Sequence, residues 1–133
     1  MEIELKELSL NSAIKDRALR KRAKECARIS FTKHYIVLSG DKEIAYLAID
    51  HMPGAEYLLL YEIFIKEELR SKGIGTTILS RVESLARELG YRKVVLHAES
   101  FDKKVSKKAI EKWYMKRGYL PSKSLKKALE KVL

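Results

Sequence analysis

A single cysteine, Cys26, cannot close a disulfide within the chain, so a cross-linked secreted scaffold is not expected. Two prolines and six glycines are too few for a low-complexity or collagen-like chain. No apolar run is long enough to span a bilayer. The most apolar stretch, "AEYLLLYEIFI", is short and carries Glu62. The opening "MEIELKELSL" is acidic and alternating, without the marks of a secretory or transit peptide. His34, His51 and His97 lie far apart with no ligand spacing, so no metal site is expected. No Cys/His finger and no aromatic RNA-binding pattern appears. Together these absences lead to the expectation of a cytoplasmic protein of a reducing compartment, with no membrane partner. Cys26 reads as a small packed helix residue, since no His or Asp is placed by the sequence to activate it.

What remains is enough for a core. Hydrophobic residues make up 46% of 133 residues, and no linker or repeat divides the chain, so residues 1–133 are expected to form one domain. The formal charge is +10, and it is uneven. From Phe101 onward eleven Lys and Arg side chains stand against three acidic ones, an excess of eight. Such an end suits an anionic ligand or nucleic acid, or is simply a solvated lysine face.

Periodicity supplies the elements. "EIELKEL" alternates as a strand. Asn11 or Ser12 is a candidate cap for a helix with the apolar stripe Ile14, Ala18, Leu19, Ala23, Cys26 and Ala27. "HYIVLSGDKEIAYLAID" reads as a hairpin turning at "SGDK", and Pro53-Gly54 breaks the chain into a loop. "YLLLYEIFI" is a strand for the centre of a sheet. From Ile74, the residues Ile78, Leu79, Val82, Leu85, Ala86 and Leu89 form a helical stripe that Gly90 ends. "YRKVVLHA" reads as a strand, "KKAIEKWYMKRG" as a helix stopped by Gly118, and the tail "SKSLKKALEKVL" as a further helix capped by Ser122 or Ser124. This order predicts an α/β domain with a mixed sheet, an antiparallel first part and a helical crossover between two parallel strands.

Between the central strand and its helix lies "RSKGIG". The Walker loop requires a glycine where Glu68 stands, and its lysine follows the glycine rather than preceding it. The dinucleotide fingerprint requires a third glycine where Ile78 stands. Neither fits. What is left, Arg70-x-x-Gly73-x-Gly75 opening a helix, still suits phosphate. Glycines admit an anion close to the backbone, and the helix start offers unpaired N–H groups and partial positive charge. A plain strand-to-helix turn remains the other reading.

With "AIEKWYMKRGY" downstream, the chain resembles the GNAT-type N-acetyltransferases. Arg70, Gly73 and Gly75 match that family's [QR]-x-x-G-x-[GA] pattern. Trp113, Tyr114, Gly118 and Tyr119 match its aromatic-Tyr-x-x-x-Gly-aromatic pattern. The match covers Tyr57 to Tyr119. It implies a mostly antiparallel mixed sheet with two splayed parallel strands, flanked by helices. It also implies acetyl transfer from acetyl-CoA to a primary amine by direct attack in a ternary complex, with acetyl-CoA as cosubstrate and no metal. By position it gives the CoA pyrophosphate to Arg70, Ser71, Lys72, Gly73, Ile74, Gly75 and Thr76. The pantetheine arm falls to the main chain of Phe64 and Ile65, and the role of general acid to Tyr114.

The sequence departs from the family in four places. Where many relatives carry a glutamate this chain has Tyr61, and the acid is Glu62, one place on. Strand alternation puts the two on opposite faces, unless a β-bulge re-aims one. Glu62 is therefore the candidate base, with Tyr61 or a water as the alternatives, and its other reading is a structural ion pair. Where relatives carry an asparagine before the acid Tyr, this chain has Lys107, with Ser106 beside it. The segment "ESFDKKVSKK" is long. The helix-like tail implies a smaller sheet, or one completed by another chain, so monomer and homodimer both stand. Lys103, Lys104, Lys107 and Lys108 are candidates for the CoA 3′-phosphate or are simply solvated, Trp113 reads as core, and His97 as a packed histidine, with a proton relay on the strand flanking the cleft as its alternative. A second function stands beside the first: a non-catalytic module of the same fold whose basic C-terminal part meets nucleic acid.

Overall fold

The computed structural model describes residues 2–9, 13–25, 32–51, 54–99 and 104–133. The elements run β1 (Glu4–Glu7), α1 (Arg17–Glu25), β2 (Thr32–Ser39), β3 (Lys42–Asp50), β4 (Tyr57–Ile65), α2 (Ile74–Glu88), β5 (Lys93–Leu96), α3 (Lys107–Met115), β6 (Leu120–Pro121) and β7 (Leu129–Val132). A short 3-10 turn, Glu67–Leu69, links β4 to the glycine loop. The seven strands form one sheet in the order β1-β2-β3-β4-β5-β7-β6. Only β4 and β5 run parallel, with α2 as their crossover; every other neighbour is antiparallel.

Helices cover both faces, because the strands are apolar on both. On one side α2 lays Ile74, Ile78, Leu79, Val82 and Ala86 on Leu58, Leu60, Val94 and Leu96. Helix α3 joins that layer through Ile110, Trp113 and Tyr114. On the other side α1 contributes Leu19 to a smaller cluster with Ile36, Tyr46 and Ala48. The hairpin turns at Gly40, whose φ of 64° is the left-handed conformation such a turn requires. Gly90 ends α2 at φ 85°, the usual glycine stop.

Helix α1 differs from the expectation. Asn11, Ser12, Cys26 and Ala27 lie outside the described residues. The helix begins after Asp16, whose Oδ1 accepts from the Leu19 N–H at 2.9 Å, so Asp16 is its cap. Ala18 is exposed, while Arg22 is partly buried beside Ala23. The inward stripe is thus narrower than expected and carries a charge.

The tail is the larger correction. It is not helical. Lys127 adopts φ 61°, which breaks a helix there. The Ser122 hydroxyl accepts from the N–H groups of Ser124 and Leu125 at 3.0 and 3.1 Å, closing a turn. The chain returns as β7, pairing Leu129 with Leu96 and Val132 with Lys93. Local propensity in "KKALEKVL" favours helix; the open edge of β5 outweighs it, because pairing satisfies that strand's backbone and buries Leu129. The sheet is therefore completed within this chain rather than by another.

Candidate active site

The β4–β5 ladder runs from Tyr57–Lys93 to Leu60–Leu96 and ends there. Strand β4 continues to Ile65, so the two parallel strands part beyond Leu60. A β-bulge sits at the point of parting. Ala48 faces Glu62 and Ile49 faces Leu60, which makes Tyr61 the extra residue. The bulge shifts the phase of the strand. Before it, Leu58 and Leu60 face α2; after it, Ile63 and Ile65 do. Phe64 turns instead to the α1 side, and so does Glu62, two residues before it.

The backbone beyond the bulge faces the gap. Lys66 N–H donates across to Ile44 O on β3 at 3.3 Å. Ile65 O points the other way and accepts from Arg70 Nε at 2.9 Å. Since strand groups alternate in direction, the N–H and C=O of Ile63 and Ile65 face the parted edge.

A cleft of about 610 Å³ opens on this edge, on the α2 side. Its walls include Ile63, Phe64 and Ile65 from β4, Arg70, Ser71, Gly73, Gly75 and Thr76 from the loop, and Trp113, Tyr114 and Arg117 from the α3 region. Gly73 caps α2 at φ 82° with no atom within 4 Å of where a Cβ would stand. Gly75 is different: a Cβ there would come within 3.2 Å of the Trp113 ring. The second glycine thus lets α3 close on the start of α2. Lys72 is exposed and lies outside the cleft wall, and the Ile74 side chain is buried in the core. Either could serve a ligand there only through its backbone N–H.

Tyr114 stands edge-on between Trp113 (ring centroids 4.9 Å apart) and Tyr119 (5.6 Å). Burial pushes its phenol up to about 12, which keeps it protonated and able to donate. Trp113 is both core and cleft wall. Arg117 is the residue the motif reading missed. Its Nε and Nη2 donate to Thr76 Oγ1 at 3.1 and 2.9 Å, its Nη1 donates to Trp113 O at 2.7 Å, and its guanidinium lies 3.8 Å from the Trp113 ring. The one arginine within a lysine-rich helix end was its only signal in the sequence. Arg70 stacks on Phe64, 5.2 Å from the ring centroid.

Glu62 does not share this cleft. It lines a second one, of about 350 Å³, with Arg22, Tyr61, His97 and Glu99. Its carboxylate is buried and held at both oxygens by Arg22, Nη2 donating to Oε1 at 2.7 Å and Nε donating to Oε2. The ion pair is the arrangement formed, and its cation comes from α1. Glu99 lines both clefts, where the strands part.

The remaining candidates have structural places. Ser106 caps α3, accepting from the Ala109 N–H at 3.1 Å. Lys104, Lys107 and Lys108 are exposed; Lys103 lies outside the described residues. His34 bonds the Tyr46 hydroxyl, and His97 is exposed in the second cleft rather than packed. Among the described residues no group of His, Cys, Asp and Glu is arranged to hold a metal, and no helix is long and apolar enough to cross a membrane.

Solved structures share this architecture. A GNAT family acetyltransferase from Elizabethkingia anophelis, with acetyl-CoA bound, superposes with a TM-score of 0.69 over 98% of both chains at 15% identity. The IAA acetyltransferase from Bacillus cereus gives 0.68 over 99% of this chain and 100% of that one, at 16% identity. The PaiA N-acetyltransferase from Thermoplasma acidophilum, in complex with coenzyme A, gives 0.60 over 86% of this chain and 65% of that one, at 16% identity. Comparison with curated protein sequences gives no match. The family model for the acetyltransferase (GNAT) domain matches residues 30–121, from the start of the hairpin through β6. With Arg70, Gly73 and Gly75 of one motif and Trp113 and Tyr114 of the other on the walls of the cleft where β4 and β5 part, this chain belongs to the GNAT acetyltransferase family.

Proposed function

We propose that this single-domain protein transfers an acetyl group from acetyl-CoA to a primary amine by direct attack. One observation carries the reading. A single cleft joins the open backbone edge of β4, the glycine loop at the start of α2, and the protonated phenol of Tyr114.

The residues fit CoA by chemistry and room. The N–H groups from Ser71 to Thr76 serve the pyrophosphate, that of Arg70 being given to Glu67 O, helped by the left-handed turn at Gly73 and the partial positive charge of the helix start. Arg117, fixed to Thr76 and Trp113, adds a full charge beside them. Residues Ile63 to Ile65 offer the pantetheine arm a strand edge, and an N–H there can polarise the acyl carbonyl. The thioester supplies the activated acyl group. Tyr114 holds its proton for the departing sulfur. Arg22 and Glu62 together hold α1 against the bulge on the acceptor side.

The test is calorimetry with acetyl-CoA, followed by thiol release with a panel of amines. Binding together with amine-dependent thiol release supports the reading. Neither binding nor a rise in melting temperature at millimolar acetyl-CoA would sink it.

A second reading rests on a separate feature. Lys108, Lys112 and Lys116 are exposed at successive four-residue steps along α3. Like charges at this spacing disfavour a helix, so the row is a candidate contact for a nucleic-acid backbone in a non-catalytic module. Salt-dependent binding of duplex DNA with no acetyl transfer would favour it.

A further inference from the structure

Among the described residues, two carboxylates line the acceptor side of the parted strands, and they are in different states. Glu62 is spent: both of its oxygens accept from Arg22. Glu99 makes no hydrogen bond or ion pair with any described residue. It is exposed, and it stands three residues beyond the last β4–β5 pair, Leu60–Leu96. It lines the second cleft together with Arg22, Glu62 and His97, and it also lines the cleft that holds Tyr114. Charge follows the same division. Among the described residues that line the second cleft, Glu62 is paired with Arg22 and Glu99 carries a charge with no such partner. A protein of net charge +10 thereby presents here a local site that attracts an ammonium group.

We infer that Glu99 is the proton acceptor for the incoming amine, which reaches the gap through the second cleft as a cation. The inference rests on the acetyltransferase reading above. An ammonium acceptor first releases one proton to solvent. The neutral amine then attacks the acyl carbon. The C–N bond forms, the surplus N–H proton passes to a Glu99 carboxylate oxygen, and the C–S bond breaks. The sulfur takes the proton of Tyr114, which is restored from Glu99 or solvent. The net yield is the amide, free CoA thiol and the one proton already released. Glu99 belongs to this path because, among the described residues, it alone lines both the acceptor's approach and the cleft of the acid.

The experiment compares wild type with Glu99→Gln and Glu99→Ala. The acceptor is the amine giving the fastest thiol release among benzylamine, spermidine, glycine and a lysine-containing peptide. The expected result is a fall in kcat of about 10²-fold or more, with the acetyl-CoA Kd and melting temperature unchanged. Added formate should restore part of the Glu99→Ala rate, because a small carboxylate can occupy the vacated place. A merely structural loss would not respond to formate. Wild-type-like kcat in Glu99→Gln overturns the inference, as does a loss found only in His97→Asn; both leave the acetyltransferase reading intact. Absence of turnover in the wild type itself overturns the two together.

Discussion

Arg22 of α1 reaches into the second cleft and binds both oxygens of Glu62, the residue that follows the β4 bulge. The two partners are unequally buried. The Glu62 side chain is fully enclosed, whereas that of Arg22 remains 23% exposed. Removing either one therefore has different consequences. Arg22→Ala strands a carboxylate away from water and should cost about 3 kcal/mol or more. Glu62→Gln leaves an arginine that can turn to solvent, and should cost about 1 kcal/mol. Urea denaturation of the two variants checks the asymmetry. Equal losses would mean that Glu62 is rehydrated through the cleft.

The Tyr114 phenol gives a prediction with a sign. Burial raises it to about 12, from an ordinary value near 10. The folded protein keeps the proton where the unfolded chain loses it. This contribution to stability is complete below about pH 10 and is lost as pH rises from there to about 12. Tyr114→Phe should lack that alkaline loss in a denaturation series. On the proposed chemistry the same variant should lower kcat by about 10²-fold with little change in acetyl-CoA affinity. Unchanged turnover would remove the tyrosine from the mechanism.

Much of this site lies in the amino-acid order, because its parts are local. "YLLLYEIFI" is β4 from end to end, and the displaced acid at Glu62 pointed to a bulge that the register places at Tyr61. The glycine loop opens α2 where the helical stripe begins. What the chain order hides is set by distant partners. β7 is a strand because β5 offers it an edge, against the leaning of its own residues. Asp16 caps α1 while its carboxylate also receives Lys66 Nζ at 2.7 Å, a contact fifty residues away in the chain. Arg117 and Glu99 become candidates only once α3 closes on Gly75 and the two parallel strands part.

Arg117 makes the third prediction. Its bonds to Thr76 and Trp113 hold the guanidinium beside the start of α2. Arg117→Gln removes the charge and most of those bonds. The acetyl-CoA Kd should rise by about tenfold, or about 1.4 kcal/mol, while kcat at saturation changes little. Titration calorimetry at two salt concentrations checks this, since the wild-type preference should shrink as salt rises. An unchanged Kd would show that the loop holds its ligand through the backbone alone.

The last prediction concerns the wall behind Tyr114. Tyr119 is fully buried, and its hydroxyl donates to Glu83 Oε2 at 2.9 Å. Lys131 of β7 reaches the same carboxylate, 3.2 Å from Oε1, along a path beside Gly118. Burial, then the Glu83 charge and the hydrogen bond, push the Tyr119 phenol far up, so the hydroxyl remains a donor. Tyr119→Phe leaves Glu83 with one donor fewer in a buried place and should cost about 1–3 kcal/mol. Gly118→Ala should cost about 1–2 kcal/mol by a different route. Gly118 sits at φ 96°, where a side chain is strained, and a Cβ there would press within 3.3 Å of Lys131 Cε. The two effects meet at Glu83, since a displaced Lys131 would leave the carboxylate without either donor, so the double variant should lose more than the sum of the single losses. Strict additivity in a denaturant double-mutant cycle would show that the lysine keeps its hold on Glu83 when Gly118 is replaced.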